Sequence, residues 1–404
     1  MPTDDTDPAD VAPSPARERR GPLTDLTIVE FAGLGPAPFA AMMLADMGAR
    51  VIRIDRPVKP LPAGAQLSGI ARMAAREVDV LARGRESIAL DLKQPGAVDL
   101  VLRLIERADA LIEGFRPGVM ESLGLGPDIC LARRPSLVYG RATGWGQTGP
   151  LAQAAGHDIN YTALSGALHA IGRAGDAPIP VPGMIGDFGG GGMLLAFGLM
   201  AGIHSARISG VGQVVDAAVC DGAALLNALH QGWHSAGLWQ NARGTNMGDG
   251  GAHFYDVYRC ADGRYISLGA IEPQFYRRLR ELCGLEDPVF DAQWNPAAWS
   301  ELKQRVAEVI AGKSRDQWCE LLESTDACFA PVLDFVDAPT HPHNVARSVF
   351  ATVDGVTQPT PAPKFSATPA GACAPIGEVG AQTEALLAEL GLSAHEMSSW
   401  VARA

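Results

Sequence analysis

Thr27-Ile-Val-Glu-Phe31, Gly33-Leu-Gly-Pro-Ala-Pro38, Phe39 to Asp46 and Arg50-Val-Ile-Arg-Ile54 together decide the fold. The first run reads as a buried strand, the Gly/Pro block as a turn, Phe39 to Asp46 as a helix and Arg50 to Ile54 as the next strand. A strand, a helix and a second strand in that order make a βαβ unit, whose two strands run parallel because a helical crossover joins them. After a polar connection from Arg56 to Gly84 the alternation resumes. Ser87 to Leu92 reads as a strand, Gly96 to Arg107 as a helix, and Ala110 to Glu113 and Leu137 to Arg141 as further strands. Strands that alternate with helices predict a parallel sheet covered on both faces, so the fold class is α/β with a Rossmann-like large domain over residues 21–210.

Beyond it the pattern changes. Asp158 to Ile171 and Gly192 to Ala206 read as helices, and Gly212 to Asp216 as a strand that leads into a helix through His234. Residues 211–244 form a linker helix region, and Asn241 to Gly251 is a Gly- and Asn-rich loop. Phe254 to Arg259 and Tyr265 to Leu268 flank Asp262-Gly263 and read as a hairpin. With helices at Pro273–Leu282, Ala298–Ala311 and Ser314–Glu323 they define a smaller α+β domain over 245–330. Residues 331–404, which include a Pro-rich stretch at 358–375 and a helix near 378–390, read as a return to the large domain. Residues 1–20 are rich in Asp, Pro and Arg and read as a disordered tail.

Composition narrows the function. A hydrophobic share of 47% supplies a sizeable core for 404 residues. Forty-five acids against 33 bases leave a charge of -12, which argues against nucleic acid as a partner, since affinity for phosphate backbones comes from Lys and Arg. The N-terminus lacks an apolar secretory core, and the longest apolar run, Phe188 to Ile203, is shorter than the roughly 20 residues a membrane span needs. We therefore expect a buried helix there and no membrane partner. Seven scattered cysteines with no Cys-x-x-Cys pair give neither a disulfide framework nor a zinc site, and fit a reducing, cytoplasmic setting.

Two motifs look chemical and carry little. The Gly33–Pro38 turn with Asp55 downstream invites a dinucleotide reading, yet Pro36 and Pro38 lack the N–H groups a pyrophosphate cradle needs. His230 and His234 have the i,i+4 spacing of a metal pair, but Gln-Gly-Trp between them offers no hydrolytic base, and structural histidines account for them.

Three segments embed a candidate catalytic group among small residues: Ala155-Gly-His157-Asp158-Ile-Asn160-Tyr161, Ile185-Gly-Asp187-Phe-Gly-Gly-Gly-Gly192 and Gly269-Ala-Ile-Glu272-Pro-Gln-Phe-Tyr276. Each acid is also an ordinary helix cap or first-turn residue by type. The surrounding strings add specificity. Leu44 to Pro57, Ala89 to Pro95, Glu113-Gly-Phe-Arg-Pro-Gly-Val119 and Thr143-Gly-Trp-Gly-Gln-Thr-Gly-Pro150 resemble elements of the family III CoA-transferase superfamily. The three acid–base segments, with Arg243-Gly-Thr-Asn-Met247, are similar to its α-methylacyl-CoA racemase branch. The resemblance runs from about Gly21 to Phe365.

It implies inversion of the α-carbon of a 2-methylacyl-CoA thioester, with no metal or redox cofactor, CoA being part of the substrate. Such an epimerisation needs a base on each face of a planar enolate, each acting as the acid in reverse. The resemblance gives these roles to His157, facing the S-substrate, and Asp187, facing the R-substrate. Glu272 would orient the imidazole, and the backbone N–H of Asp158 would hold the enolate oxygen. It places the CoA phosphates near Arg56, Arg83, Arg85, Lys93 and Arg116. It also implies an interlocked homodimer with the site between the large domain of one chain and the small domain of its partner, which puts Glu272 across the subunit boundary. His253 would border the acyl region. Two rival activities fit the same scaffold: a CoA-transferase with Asp187 as the acyl-accepting nucleophile, and a silent acyl-CoA-binding protein.

Overall fold

The computed structural model describes residues 19–58, 69, 72 and 78–401. The expected tail lies almost wholly outside these residues, as does most of the Arg56–Gly84 connection. Strands β1 (Thr27–Phe31), β2 (Arg50–Asp55), β3 (Arg85–Ala89), β4 (Ala110–Glu113), β5 (Val138–Thr143) and β6 (Gln213–Ala218) form one sheet in the order β3-β2-β1-β4-β5-β6. Every pairing in it is parallel. This is the doubly wound order, in which the winding reverses between β1 and β4 and opens a crevice at the carboxyl ends of the strands.

The strands read as nearly continuous apolar runs because both faces are covered. Val29, Phe31, Ile52 and Ile54 point into one core with Leu100, Leu104 and Tyr139, while Ile28 and Val51 point into the other with Ala40, Leu44 and Leu199. Helix α1 (Pro36–Asp46) covers the second face and α2 (Ala97–Ile105) the first. Short helices α3 (Val119–Ser122) and α4 (Pro127–Arg133) lead to β5.

Three expectations need revision here. The third strand starts and stops earlier than Ser87–Leu92, because the Asp91 side chain accepts the Lys93 N–H and turns the chain. The Asp158–Ile171 helix is shorter: α5 (Asp158–Leu164) ends before Gly166, whose φ of 84° starts a new direction, and only a 3-10 turn follows at Leu168–Ala170. The apolar run at 188–203 belongs to one helical stretch of 26 residues, Met184–Ser209, long and apolar enough by length and composition to cross a membrane. Its first part, Met184–Met193, is π-helical, and its second is α6 (Leu194–Ser209). Here α6 lies on the sheet, with Leu195 and Leu199 over Gly140 of β5 and Gly202 against Val138.

The π-helical turn explains the four consecutive glycines. It is wedged between α1 and α7 (Val219–Leu226). A Cβ on Gly191 would stand 2.7 Å from Pro36 Cβ, and one on Gly190 2.6 Å from the Ala223 nitrogen. Across the contact, a Cβ on Gly222 would stand 1.9 Å from the Gly190 carbonyl oxygen. Helix α8 (Ala228–Ser235) follows α7.

A three-stranded antiparallel sheet, β7 (Tyr255–Arg259), β8 (Tyr265–Gly269) and β9 (Phe329–Val332), packs with α9 (Pro273–Cys283), α10 (Trp299–Ile310) and α11 (Arg315–Leu322) around its own core of Phe254, Tyr276, Leu302 and Trp318. His253 belongs to this core. It is buried, its Nε2 lies 2.7 Å from the Tyr276 hydroxyl, and burial pushes its imidazole down to about 4, so it does not line an acyl surface in this chain. Beyond a short helix α12 (Pro342–Ala346), β10 (Phe350–Val353) and β11 (Val356–Pro359) make a hairpin. Helix α13 (Thr383–Glu389) comes back to the edge of the large sheet, where Gln382 Oε1 accepts the Ser87 N–H and Thr383 Oγ1 the Ala89 N–H.

Because the added methyl of Gly222→Ala has no space between two backbones, we expect that variant to lose about 3 kcal/mol or more of stability, read as a lowered denaturation midpoint with an unchanged m-value.

Candidate active site

All six strands of the large sheet end on one edge, so the loops leaving them converge. Gly35 follows β1, Arg56 follows β2 directly, Arg116 lies just past β4, and the loop after β5 delivers His157 to the start of α5. Asp187, in the first turn of the π-helical segment, reaches the same edge. A Cβ on Gly35 would stand 3.1 Å from its Oδ2.

His157 is the N-cap residue of α5, with extended backbone and an exposed imidazole. Its N–H donates to Asn160 Oδ1 at 3.0 Å and its carbonyl accepts the Asn160 N–H at 2.8 Å. Tyr161 braces the preceding residues: its hydroxyl donates to the Gly156 carbonyl, and its ring meets Trp145 edge-on at 4.7 Å. Gly144 makes room for that ring, since a Cβ there would fall 1.9 Å from Tyr161 Cζ.

Asp187 is half-buried. Burial above all, then the negative charge of Asp158, pushes its carboxyl up to about 6, and His157 opposes the shift. The imidazole and the carboxyl are thus within electrostatic reach of each other. The Asp187 N–H donates to Asp158 Oδ1 at 2.8 Å. The N–H of Asp158 itself, in the open first turn of α5, has no acceptor among the described residues. A donor at that position, beside the positive end of a helix, suits a developing oxyanion.

Glu272 stands elsewhere in the chain. It caps α9, is exposed, and lies near Cys328, whose thiol burial raises first and the Glu272 charge raises further. Among the described residues no hydrogen bond or ion pair joins it to His157 or Asp187.

The five basic candidates divide. Arg56, Lys93 and Arg116 are exposed, and the charge of Arg116 acts on Tyr161 inside the crevice. Arg83, just before β3, and Arg85, its first residue, turn inward. Arg83 pairs with Asp46 at 2.5 Å and donates to Gln358 and the Pro359 carbonyl. Arg85 pairs with Glu30 at 2.9 Å, both side chains fully covered, and donates to the Arg83 and Pro38 carbonyls. Neither is placed to meet a phosphate, which corrects the reading of both as nucleotide ligands. Asp55 is also engaged, with Arg53 and the Ser87 hydroxyl. His230 lies edge-on to Trp233 and Trp239, and His234 Nδ1 is 3.1 Å from the Trp239 carbonyl oxygen.

Sequence reasoning missed the supports of the site. Gly186 is small because a Cβ on it would stand 2.1 Å from Asp158 Oδ1, and Gly35, Trp145 and Tyr161 build the walls. Only Tyr161 left a signal, lying one helical turn beyond His157.

The chain belongs to CoA-transferase family III, whose model matches residues 23–383. Within that family it is 43% identical over 378 residues to the alpha-methylacyl-CoA racemase of Mus musculus, covering 93% of this chain and 95% of the mouse protein. The alpha-methylacyl-CoA racemase of Homo sapiens is 42% identical over 380 residues, with the same coverage of each. The fold matches the crystal structure of a CAIB/BAIF family protein from Brucella suis with a TM-score of 0.77 at 23% identity, over 92% of this chain and 100% of that one.

The raised Asp187 carboxyl sets the sign of a stability test. Between pH 3.8 and about 6 the native chain holds a proton that the unfolded chain has released, so this group's contribution to stability falls as pH rises through that window. Asp187→Asn should therefore gain stability relative to wild type at pH 7–8, by at most about 3 kcal/mol at 1.36 kcal/mol per unit. The gain should vanish near pH 4 when unfolding midpoints are compared.

Proposed function

We propose that this chain is a racemase that inverts the α-carbon of 2-methylacyl-CoA thioesters by proton transfer through an enolate. One observation carries the reading: beyond the carboxyl ends of the parallel strands, a carboxyl raised to about 6, Asp187, lies within electrostatic reach of an imidazole, His157, and its N–H is tied to the residue that follows that imidazole. A group that must accept a proton in one direction and give it back in the other works best when its pKa lies near the operating pH. The productive pair carries one proton in total. With the proton on Asp187, His157 is the base; with it on His157, Asp187 is the base. The Asp158 N–H would hold the enolate oxygen between the two transfers. These steps need no electron transfer and no second substrate. The likeness to the mouse and human racemases supports the same chemistry.

Arg56 and Arg116, at the carboxyl ends of β2 and β4, are the cations we assign to the CoA phosphates, with Lys93 beyond β3 as a third. The assembly we propose is a homodimer in which Glu272 of the partner subunit completes the site by orienting His157. Its support is the apolar surface left open on consecutive helices: Phe197 is 72% exposed, Leu225 61% and Leu229 58%. Large apolar side chains left open on successive helices suit a surface that another protein covers.

The decisive assay uses one enantiomer of a 2-methylacyl-CoA in D₂O with no acceptor acid. The racemase reading requires deuterium at the α-carbon and both configurations in the product. A transferase would need a free acid and leave the stereocentre alone, and a binder would do neither. His157→Ala, at an exposed position, should keep the circular dichroism spectrum of the wild type and lose at least about 10²-fold in turnover. Unchanged turnover would refute the assignment.

Subunit sharing has its own test. Co-expressed His157→Ala and Glu272→Ala chains, each inactive alone, form mixed dimers in which one of two sites has both residues intact, so about a quarter of wild-type activity should return. No recovery would place both residues in sites built by one chain.

A further inference from the structure

The carboxylate of Asp158 is placed where neither role given to its neighbours explains it. It directly follows one base in the chain and accepts the backbone N–H of the other, at 2.8 Å. The contact is built in from both sides. Gly186, the residue before Asp187, could carry no side chain without striking Asp158 Oδ1, and the Asp158 carbonyl is fixed by the Thr162 hydroxyl at 2.9 Å. We propose that the side chain of Asp158 is a positioning residue that fastens the two bases to each other and holds a negative charge against Asp187. This inference rests on the acid–base assignment above and goes beyond it, since that assignment uses only the Asp158 N–H.

A hydrogen bond from Asp187 N–H to Asp158 ties the start of the π-helical segment to the first turn of α5. The separation of imidazole and carboxyl is then fixed by one short link and not by the long path through residues 165–183. Displacement of a reacting group by about 1 Å costs on the order of 10²-fold in rate. The charge acts in addition. A carboxylate disfavours the ionised form of a neighbouring carboxyl, so it helps hold the proton on Asp187.

The other groups around Asp187 do not duplicate this. His157 opposes the upward shift, and Tyr161 of α5 faces Asp187 as a neutral phenol whose ionisation that carboxyl disfavours. From α7 comes the Cys220 thiol, itself pushed up to about 11, and from the loop past β4 comes Arg116, both felt at Tyr161. The turn before α1 brings Gly35 against the Asp187 carboxyl, with no charged group of its own.

Asp158→Asn and Asp158→Ala separate the tie from the charge. Asn keeps an oxygen for the Asp187 N–H and removes the charge. The kcat/KM profile belongs to the pair and not to either residue, so weakening the hold on the Asp187 proton in Asp158→Asn should move it to lower pH. Ala removes the tie as well and should lower kcat at its own pH optimum by about tenfold or more beyond the Asn variant. Carbon-13 NMR of aspartate-labelled enzyme, with Asp187→Asn identifying the resonance, follows the Asp187 carboxyl without turnover. Its midpoint should fall in Asp158→Asn. A profile and a titration that superimpose on wild type in Asp158→Asn would overturn the electrostatic part, and an Ala variant with the kcat of the Asn variant would overturn the tie. A wild-type enzyme that fails to racemise would instead remove the acid–base assignment, while the NMR titration would still decide whether Asp158 charges Asp187.

Discussion

Backbone lies directly on backbone where the π-helical turn at Met184–Met193 meets α1 and α7, and the site depends on that contact. A side chain at Gly190, Gly191 or Gly222 would push the turn outward by the width of a methyl group. Asp187 rides on this turn. Its carboxyl reaches the end of β1 only because the turn is sunk between two helices, and Gly35 leaves space at the far side. A π-helical stretch inside an otherwise α-helical element is an uncommon arrangement that recurs at functional positions. Here it brings an acid, its N–H and the glycine ahead of it under the first turn of α5.

Two ways of burying a carboxylate stand side by side around the large sheet. Glu30, Asp46, Asp55 and Glu113 each meet an arginine: Arg85, Arg83, Arg53 and Arg141. Such pairs add little net stability over an apolar filling, but losing one partner costs several kcal/mol because the other charge is stranded. Asp187 pairs with no guanidinium among the described residues. Burial first and then the Asp158 carboxylate raise its proton affinity, against the pull of the His157 imidazole. The first arrangement braces the scaffold; the second keeps a proton exchangeable. That contrast separates scaffold from chemistry more cleanly than residue type does.

Much of the scaffold could be read from local sequence. The first and fourth strands have the bounds that the apolar runs Thr27–Phe31 and Ala110–Glu113 suggest, because a strand buried on both faces and flanked by turn residues leaves little choice. Short strands carrying proline, Phe329–Val332 and Val356–Pro359, escaped because their pairing comes from partners and not from propensity. The π-helical turn escaped for a similar reason: four glycines in a row signal space, not what fills it. His157 and Asp187 were legible through the small residues around them, yet the Asp158–Asp187 bond spans 29 residues and has no local trace. Arg83 and Arg85 misled because a basic loop looks like a phosphate site, and Glu30, which claims Arg85, lies 55 residues upstream.

The closing of the large sheet by Gln382 and Thr383 has a consequence for synthesis on the ribosome. The edge of β3 receives its cover from a segment made 295 residues later, so the strand's outer N–H groups wait uncapped while most of the chain is translated. An unpaired edge is a template for adhesion to other nascent chains. Translation therefore includes a long interval in which the β3 edge stands open, and the segment that carries Gln382 and Thr383 acts as its seal.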